Sequence, residues 1–297
     1  MTDRQKATDF PKEVLALFDG YVHGFIDRRA FVEGAAKVVG GGAAAAAVLE
    51  ALQPRYAWAA QVPEGDDRIQ AKYVEYESAN GSGTMRGYMA VPDGATESKP
   101  AVLVIHENRG LNPYIEDVVR RFATADFVAL GPDALTPLGG YPGNDDDGRD
   151  MQRQLDRDVM MEDWVAAFEF LRTHSTSTGS VGAVGFCYGG GVVNQLAVRL
   201  PNLGAGAPFY GAVPRTEDVP RIQAPLLIHY AELDERINGG WPEYQQALEA
   251  NGKTFTMHMY EGTNHGFHND TTPRFDEEAA ALAQERTIAF FNERLRT

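Results

Sequence analysis

Cysteine is almost absent from this 297-residue chain: Cys187 is the only one, which rules out an intrachain disulfide and any zinc cluster built on several cysteines. Positive charge is also scarce. Lys and Arg number 27 against 42 Asp and Glu, a formal charge of −15. Polyanions would be repelled, so neither nucleic acid nor an anionic membrane surface is expected as a partner. No run approaches the roughly 20 apolar residues that cross a bilayer, which excludes an integral membrane helix. No His-x-x-x-His or clustered carboxylate and histidine spacing marks a metal centre. The run Asp145-Asp146-Asp147 lacks the spaced ligands and distal Glu of a calcium loop and reads as solvated. No metal or other cofactor is therefore expected. What is present is a globular composition, 43% hydrophobic and 23% charged, enough for one or two domains with a buried core and compatible with a homo-oligomer.

Two regions differ in character. Residues 1–62 hold a Gly40-Gly41-Gly42 triplet and the run Ala43–Ala47. This segment has two readings. Arg28-Arg29 before an Ala/Gly-rich stretch, with Ala57-Trp58-Ala59 as a small-x-small site, resembles a twin-arginine export signal cleaved before Ala60. Glu33, Lys37 and Glu50 interrupt the apolar stretch and favour a retained arm, helical over 13–52, packed on the catalytic body or on a neighbouring subunit. The second reading goes with a cytoplasmic protein, the first with export to the periplasm. Residues 63–297 alternate strand-like and helix-like segments, the pattern of an α/β catalytic domain with a mostly parallel sheet flanked by helices. Ala71–Glu77 and Met85–Val91 form an antiparallel opening pair. Ala101–Ile105, Phe127–Leu130, Val181–Val184, Leu226–Tyr230 and Phe255–Tyr260 follow as strands. Helices are expected over Pro113–Thr124, Asp156–Arg172, Gly189–Arg199, Pro242–Asn251 and Phe275–Arg294. Thr136 to Asp150, rich in Gly, Pro and Asp, reads as a long surface loop of the kind that borders active sites.

Cys187 lies in Gly185-Phe186-Cys187-Tyr188-Gly189-Gly190, directly between an apolar strand and a helix. That is a nucleophile elbow: small residues two before and two after allow the sharp turn that raises the nucleophile above the sheet edge. A helix N-terminus also favours the thiolate. On this architecture the triad runs nucleophile, acid, histidine. Asp234 follows the strand Leu226–Tyr230, with Glu232 and Glu235 as competitors; His265 lies in the Gly-bounded loop after the last strand, with His268 ranked lower. His23, in the arm, has little context beside these, as do His174, His229 and His258.

The elbow, the late Asp, the His265-Gly266-Phe267 loop and His106-Glu107-Asn108-Arg109-Gly110 together resemble the dienelactone hydrolase family of α/β-hydrolases, over roughly residues 70–297. The resemblance implies hydrolysis of small-molecule carboxylic esters or lactones. It makes Glu107 the carboxylate that tunes the thiol and the backbone N–H groups of Asn108 and Tyr188 the oxyanion hole. It also implies a departure: the substrate-carboxylate arginine expected four residues after the histidine is Asn269 here. Arg109, Arg149, Arg153 and Arg236 are the candidates to replace it. Other readings of the same fold are a thioesterase, a peptidase, or a redox-responsive or binding protein with Cys187 as sensor thiol.

Overall fold

The computed structural model describes residues 4–58 and 60–296. Its core is an eight-stranded sheet of β1 (Ile69–Ser78), β2 (Gly83–Pro92), β3 (Lys99–Ile105), β4 (Val128–Pro132), β5 (Ser177–Phe186), β6 (Ala205–Phe209), β7 (Leu226–Ala231) and β8 (Phe255–Tyr260). They lie in the order β1-β2-β4-β3-β5-β6-β7-β8. The pairs β1–β2 and β2–β4 are antiparallel, and every pair from β4 to β8 is parallel. This is the α/β-hydrolase arrangement expected from the sequence. The central strands are apolar on both faces because helices cover both. On one face α6 (Arg157–Thr173), α7 (Tyr188–Arg199) and α9 (Trp241–Ala250) contribute Trp164, Phe168, Leu196 and Leu248 to one core. On the other, α4 (Pro113–Thr124) and α10 (Glu277–Leu295) contribute Ile115, Phe122 and Phe291 to a second.

Local chemistry fixes the helix starts. Asn112 caps α4 by accepting from the Ile115 amide, with Pro113 at the first position; Asp156 and Asp276 cap α6 and α10 in the same way. The chain runs from β3 leftwards to β4 and then returns to β5 on the other side of β3. The β3 and β5 ends therefore flank the switch point at which open α/β sheets form their ligand crevice.

The arm comprises α1 (Lys12–Val22), α2 (Arg28–Val39) and α3 (Gly42–Leu52). These helices share a core of their own around Val14, Phe18, Phe31, Ala35 and Leu49. The arginine pair of the export reading stands in the first turn of α2, capped by Asp27. Its cleavage expectation includes Ala59, which lies outside the described residues. Among those residues no single helix is long and apolar enough to cross a membrane. α1 docks on the body through side chains that bond its last carbonyls: Asn108 Nδ2 donates to Val22 O at 2.9 Å, and Arg149 Nη1 to Tyr21 O at 3.3 Å.

Two expectations need correction. The segment from Thr136 to Asp150 is not wholly a loop: Asn144 caps α5 (Asp145–Gln152), and the three aspartates fill its first turn, where the helix dipole favours negative charge. Asp145 is accordingly not solvated; it is buried and paired with Arg109 at 2.6 Å. The strand β6 had no counterpart in the sequence reading, because Ala-Gly-Ala-Pro-Phe carries almost no strand propensity and forms by pairing with β5 and β7.

Candidate active site

Cys187 stands between β5 and α7 with φ 55° and ψ −113°, a left-handed conformation that is strained for a residue with a side chain. The two glycines beside it are sterically required. A Cβ on Gly185 would lie 2.2 Å from the Gly189 carbonyl oxygen, and one on Gly189 would lie 2.3 Å from that of Ile105. The elbow packs tightly against the end of β3, within electrostatic reach of the Glu107 carboxylate. The Cys187 amide donates to Phe209 O at 3.1 Å, so the unforeseen β6 also holds the elbow.

Asp234 leaves the end of β7 and caps the short helix α8 (Glu235–Asn238). One carboxylate oxygen accepts from the Ile237 amide at 3.3 Å, and the other is 2.5 Å from His265 Nδ1. A carboxylate fixed at both oxygens orients the ring and selects the tautomer that leaves Nε2 toward the sulfur. His265 Nε2 is buried with no hydrogen-bond partner among the described residues. A ring nitrogen of His265, one of His23 and the Cys187 sulfur all lie within 4.8 Å of one another. Glu232 accepts from the Gly262 amide. His268 is buried between Tyr114 and Gln284, and its pKa is lowered to about 3, by burial first and then by Arg121. Each is engaged elsewhere.

Glu107 is buried, and its Oε2 accepts from Asn269 Nδ2 at 2.9 Å. The residue that replaces the expected arginine thus ties down the thiol-side carboxylate. Burial raises the Glu107 pKa; Arg109 opposes this, and the nearby thiolate adds to it. Of the four arginines named as replacements, Arg109 is paired with Asp145, Arg149 serves Tyr21 and Asp146, and Arg153 donates to His23 O at 3.3 Å. Arg236 reaches the site itself, with Nη2 3.5 Å from His265 Nδ1 and 3.1 Å from His23 Nε2.

One further group reaches the site from the arm. His23, at the C-terminal end of α1, places Nε2 3.3 Å from Cys187 Sγ and packs edge-on against the His265 ring at 4.7 Å between centroids. Asp19, four residues earlier, lies 3.2 Å from His23 Nδ1. The i, i+4 spacing of Asp19 and His23 was visible, but nothing local indicated that α1 would dock on the elbow. Cys187 is 8% exposed. Burial alone would push its thiol up, yet His23 and His265 more than reverse this and hold it well below the ordinary value. Burial would lower His265, but the thiolate and Asp234 raise it to about 10. The Cys and two His donors are also of the kind that ligate a soft divalent ion, although the Arg236 guanidinium beside both rings opposes an added cation.

A nucleophile elbow at the crevice end of a mostly parallel sheet, with an Asp and His pair on the loops after the last two strands, is the arrangement of the α/β-hydrolases. Comparison with known proteins narrows this. Residues 85–295 match the dienelactone hydrolase family, and the chain belongs to it. Residues 1–39 match a separate family described as YqhI-like. A protein of Escherichia coli K12 described as a hydrolase fragment, YghX, is 54% identical over 38% of this chain and 96% of its own length. Carboxymethylenebutenolidase 1 of Cupriavidus pinatubonensis is 29% identical over 72% of this chain and 94% of its own. Among solved structures, the dienelactone hydrolase-like phosphotriesterase P91, from metagenomic libraries, superposes with a TM-score of 0.66 at 22% identity over 76% of this chain and 99% of its own. A mutant of the esterase rPPE superposes with 0.67 at 14% identity over 99% and 98%. The chain is a hydrolase of carboxylic esters or lactones of the dienelactone hydrolase kind.

Proposed function

We propose that the chain hydrolyses its ester or lactone through a covalent thioester on Cys187, with His265 and Asp234 completing the triad. The carrying observation is the elbow cysteine, buried beside an imidazole whose other nitrogen is fixed by a carboxylate, with both neighbouring imidazoles lowering its thiol pKa. The thiolate adds to the substrate carbonyl. The backbone N–H groups of Asn108 and Tyr188 receive the oxyanion, the latter being the first amide of α7, which has no partner within the helix. His265 moves the protons, and water then cleaves the thioester. Glu107, on the same side of the elbow, sets how much thiolate the resting enzyme carries. In this reading residues 1–62 are an arm attached to a catalytic unit of residues 63–297. The depth of the sulfur argues against the sensor-thiol alternative, because reversible oxidation favours exposed thiolates.

Cys187→Ala tests the proposal. The replacement removes the nucleophile without opening a large cavity, so the protein should fold normally and hydrolyse neither aryl esters nor lactones. Retention of more than a few per cent of wild-type turnover would defeat the mechanism.

A further inference from the structure

We propose that His23, carried by the arm, is a second catalytic residue at Cys187: its imidazolium pairs with the thiolate in the closed site and gives its proton to the departing alkoxide during acylation. The inference rests on the reading of Cys187 as the nucleophile. His23 Nε2 is 3.3 Å from Sγ, and Nδ1 is held by Asp19, whose carbonyl is at 2.8 Å and whose carboxylate is at 3.2 Å. The sulfur therefore has two neighbouring imidazoles, His265 oriented by the Asp234 carboxylate and His23 by the Asp19 carbonyl, with the Asp19 carboxylate close by.

The surroundings of Nε2 argue for proton transfer and against a merely structural role. When Nε2 carries a proton, the thiolate accepts it. When that proton has left, the Nε2 lone pair faces Arg236 Nη2 at 3.1 Å, which can donate to it. Both protonation states have a partner already in place, as a group that cycles between them requires. Charged groups face the ring from every packed element: Asp19 on its own helix, Cys187 at the elbow, Arg236 after β7 and His265 after β8. Arg153 bonds the His23 carbonyl, and Arg274 reaches Asp19 at 3.5 Å. Burial disfavours the imidazolium, but the thiolate and Asp19 outweigh burial and His265, so the His23 pKa is raised.

The proton count closes. In acylation the sulfur-carbon bond forms and the carbon-oxygen bond breaks with its electron pair on oxygen, which takes the Nε2 proton. Forming the thioester removes the thiolate charge that holds the His265 proton, and that proton leaves to solvent. In deacylation water attacks the thioester, His265 accepts one water proton, the carbon-sulfur bond breaks to restore the thiolate, and the proton of the acid product recharges His23. One ester and one water thus give the alcohol, the carboxylate and the one proton already released.

The test compares His23→Gln with the full-length wild type on an alkyl ester, whose leaving group must be protonated, and on the matching 4-nitrophenyl ester, whose leaving group need not be. His23→Gln should lose about 10²-fold in kcat/KM on the alkyl ester and at least tenfold less than that on the aryl ester. Added imidazole should partly restore alkyl ester turnover in His23→Ala. Equal losses on both esters, or no rescue by imidazole, would overturn the proposal. Cys187→Ala is run in parallel. If it stays active the nucleophile reading itself has failed, whereas an inactive Cys187→Ala with no leaving-group split in His23→Gln sinks the His23 inference alone.

Discussion

Two Asp and His pairs reach one sulfur, their rings packed edge-on against each other, and they are built in different ways. Asp234 and His265 come from loops after β7 and β8, neighbouring parallel strands in register from Leu226 opposite Phe255 to Ala231 opposite Tyr260. Their separation is fixed by the sheet, so the pair is as rigid as the core. Asp19 and His23 meet through the spacing of a single helical turn, and α1 is brought to the sulfur by side chains that bond its terminal carbonyls. The first pair cannot be removed without damaging the body. The second belongs to a unit with its own core and a polar interface, so it should be separable from the catalytic domain.

The largest effect short of losing the nucleophile should come from breaking the rigid pair. Asp234→Asn should lower kcat by roughly 10²–10⁴-fold, since the ring loses its orientation and its support for the imidazolium. The pH profile gives the sign. His265 stays protonated up to about 10 in the wild type, so activity should persist into alkaline solution and fall as pH passes that value. Removing the Asp234 charge should move this alkaline limb to lower pH. A limb that stays in place would mean that Asp234 does not act through His265.

Breaking the separable pair should cost less. Deleting residues 1–60 should leave a folded body that still hydrolyses 4-nitrophenyl esters. Its thiol should alkylate faster with bulky reagents, because the arm no longer covers Cys187. The acid limb of the alkylation profile should move up, since His23 no longer helps hold the thiol down. If the truncated protein unfolds or alkylates like the full chain, the arm is not a separable cover.

The contrast between the pairs also accounts for what could be read from the sequence. The elbow was legible because its glycines answer a local steric demand: Gly185 and Gly189 sit where a Cβ would meet backbone at 2.2 and 2.3 Å. Asp234 and His265 were legible because each follows an apolar strand. Helix α5 was not, since its polar Asp-Asp-Asp-Gly-Arg-Asp start has no apolar periodicity and is held by the Asn144 cap and the buried Arg109 to Asp145 pair. His23 was illegible for a different reason. Its partners Cys187, Arg236 and His265 lie more than a hundred residues away in the chain, and only tertiary docking joins them.

The smallest effect is expected at Glu107. Its pKa is raised by burial, so it ionises only at higher pH than an ordinary glutamate, and there it repels the thiolate. Where Glu107 is ionised and the thiol is still largely protonated, Glu107→Gln should therefore speed alkylation by roughly threefold to tenfold if the thiol pKa falls by about half to one unit; the rate should change little where Glu107 is neutral or the thiol is already fully ionised. Slower alkylation would instead make Glu107 the acceptor of the thiol proton.

The central claim, a thioester on Cys187, is tested most directly by mixing the enzyme with an excess of a 4-nitrophenyl ester, quenching with acid in the steady state and weighing the protein. An added acyl mass is expected, confined to the peptide that contains Cys187 and absent when that cysteine has been alkylated first. Turnover that continues after complete alkylation, or an acyl group carried on any other residue, would contradict it.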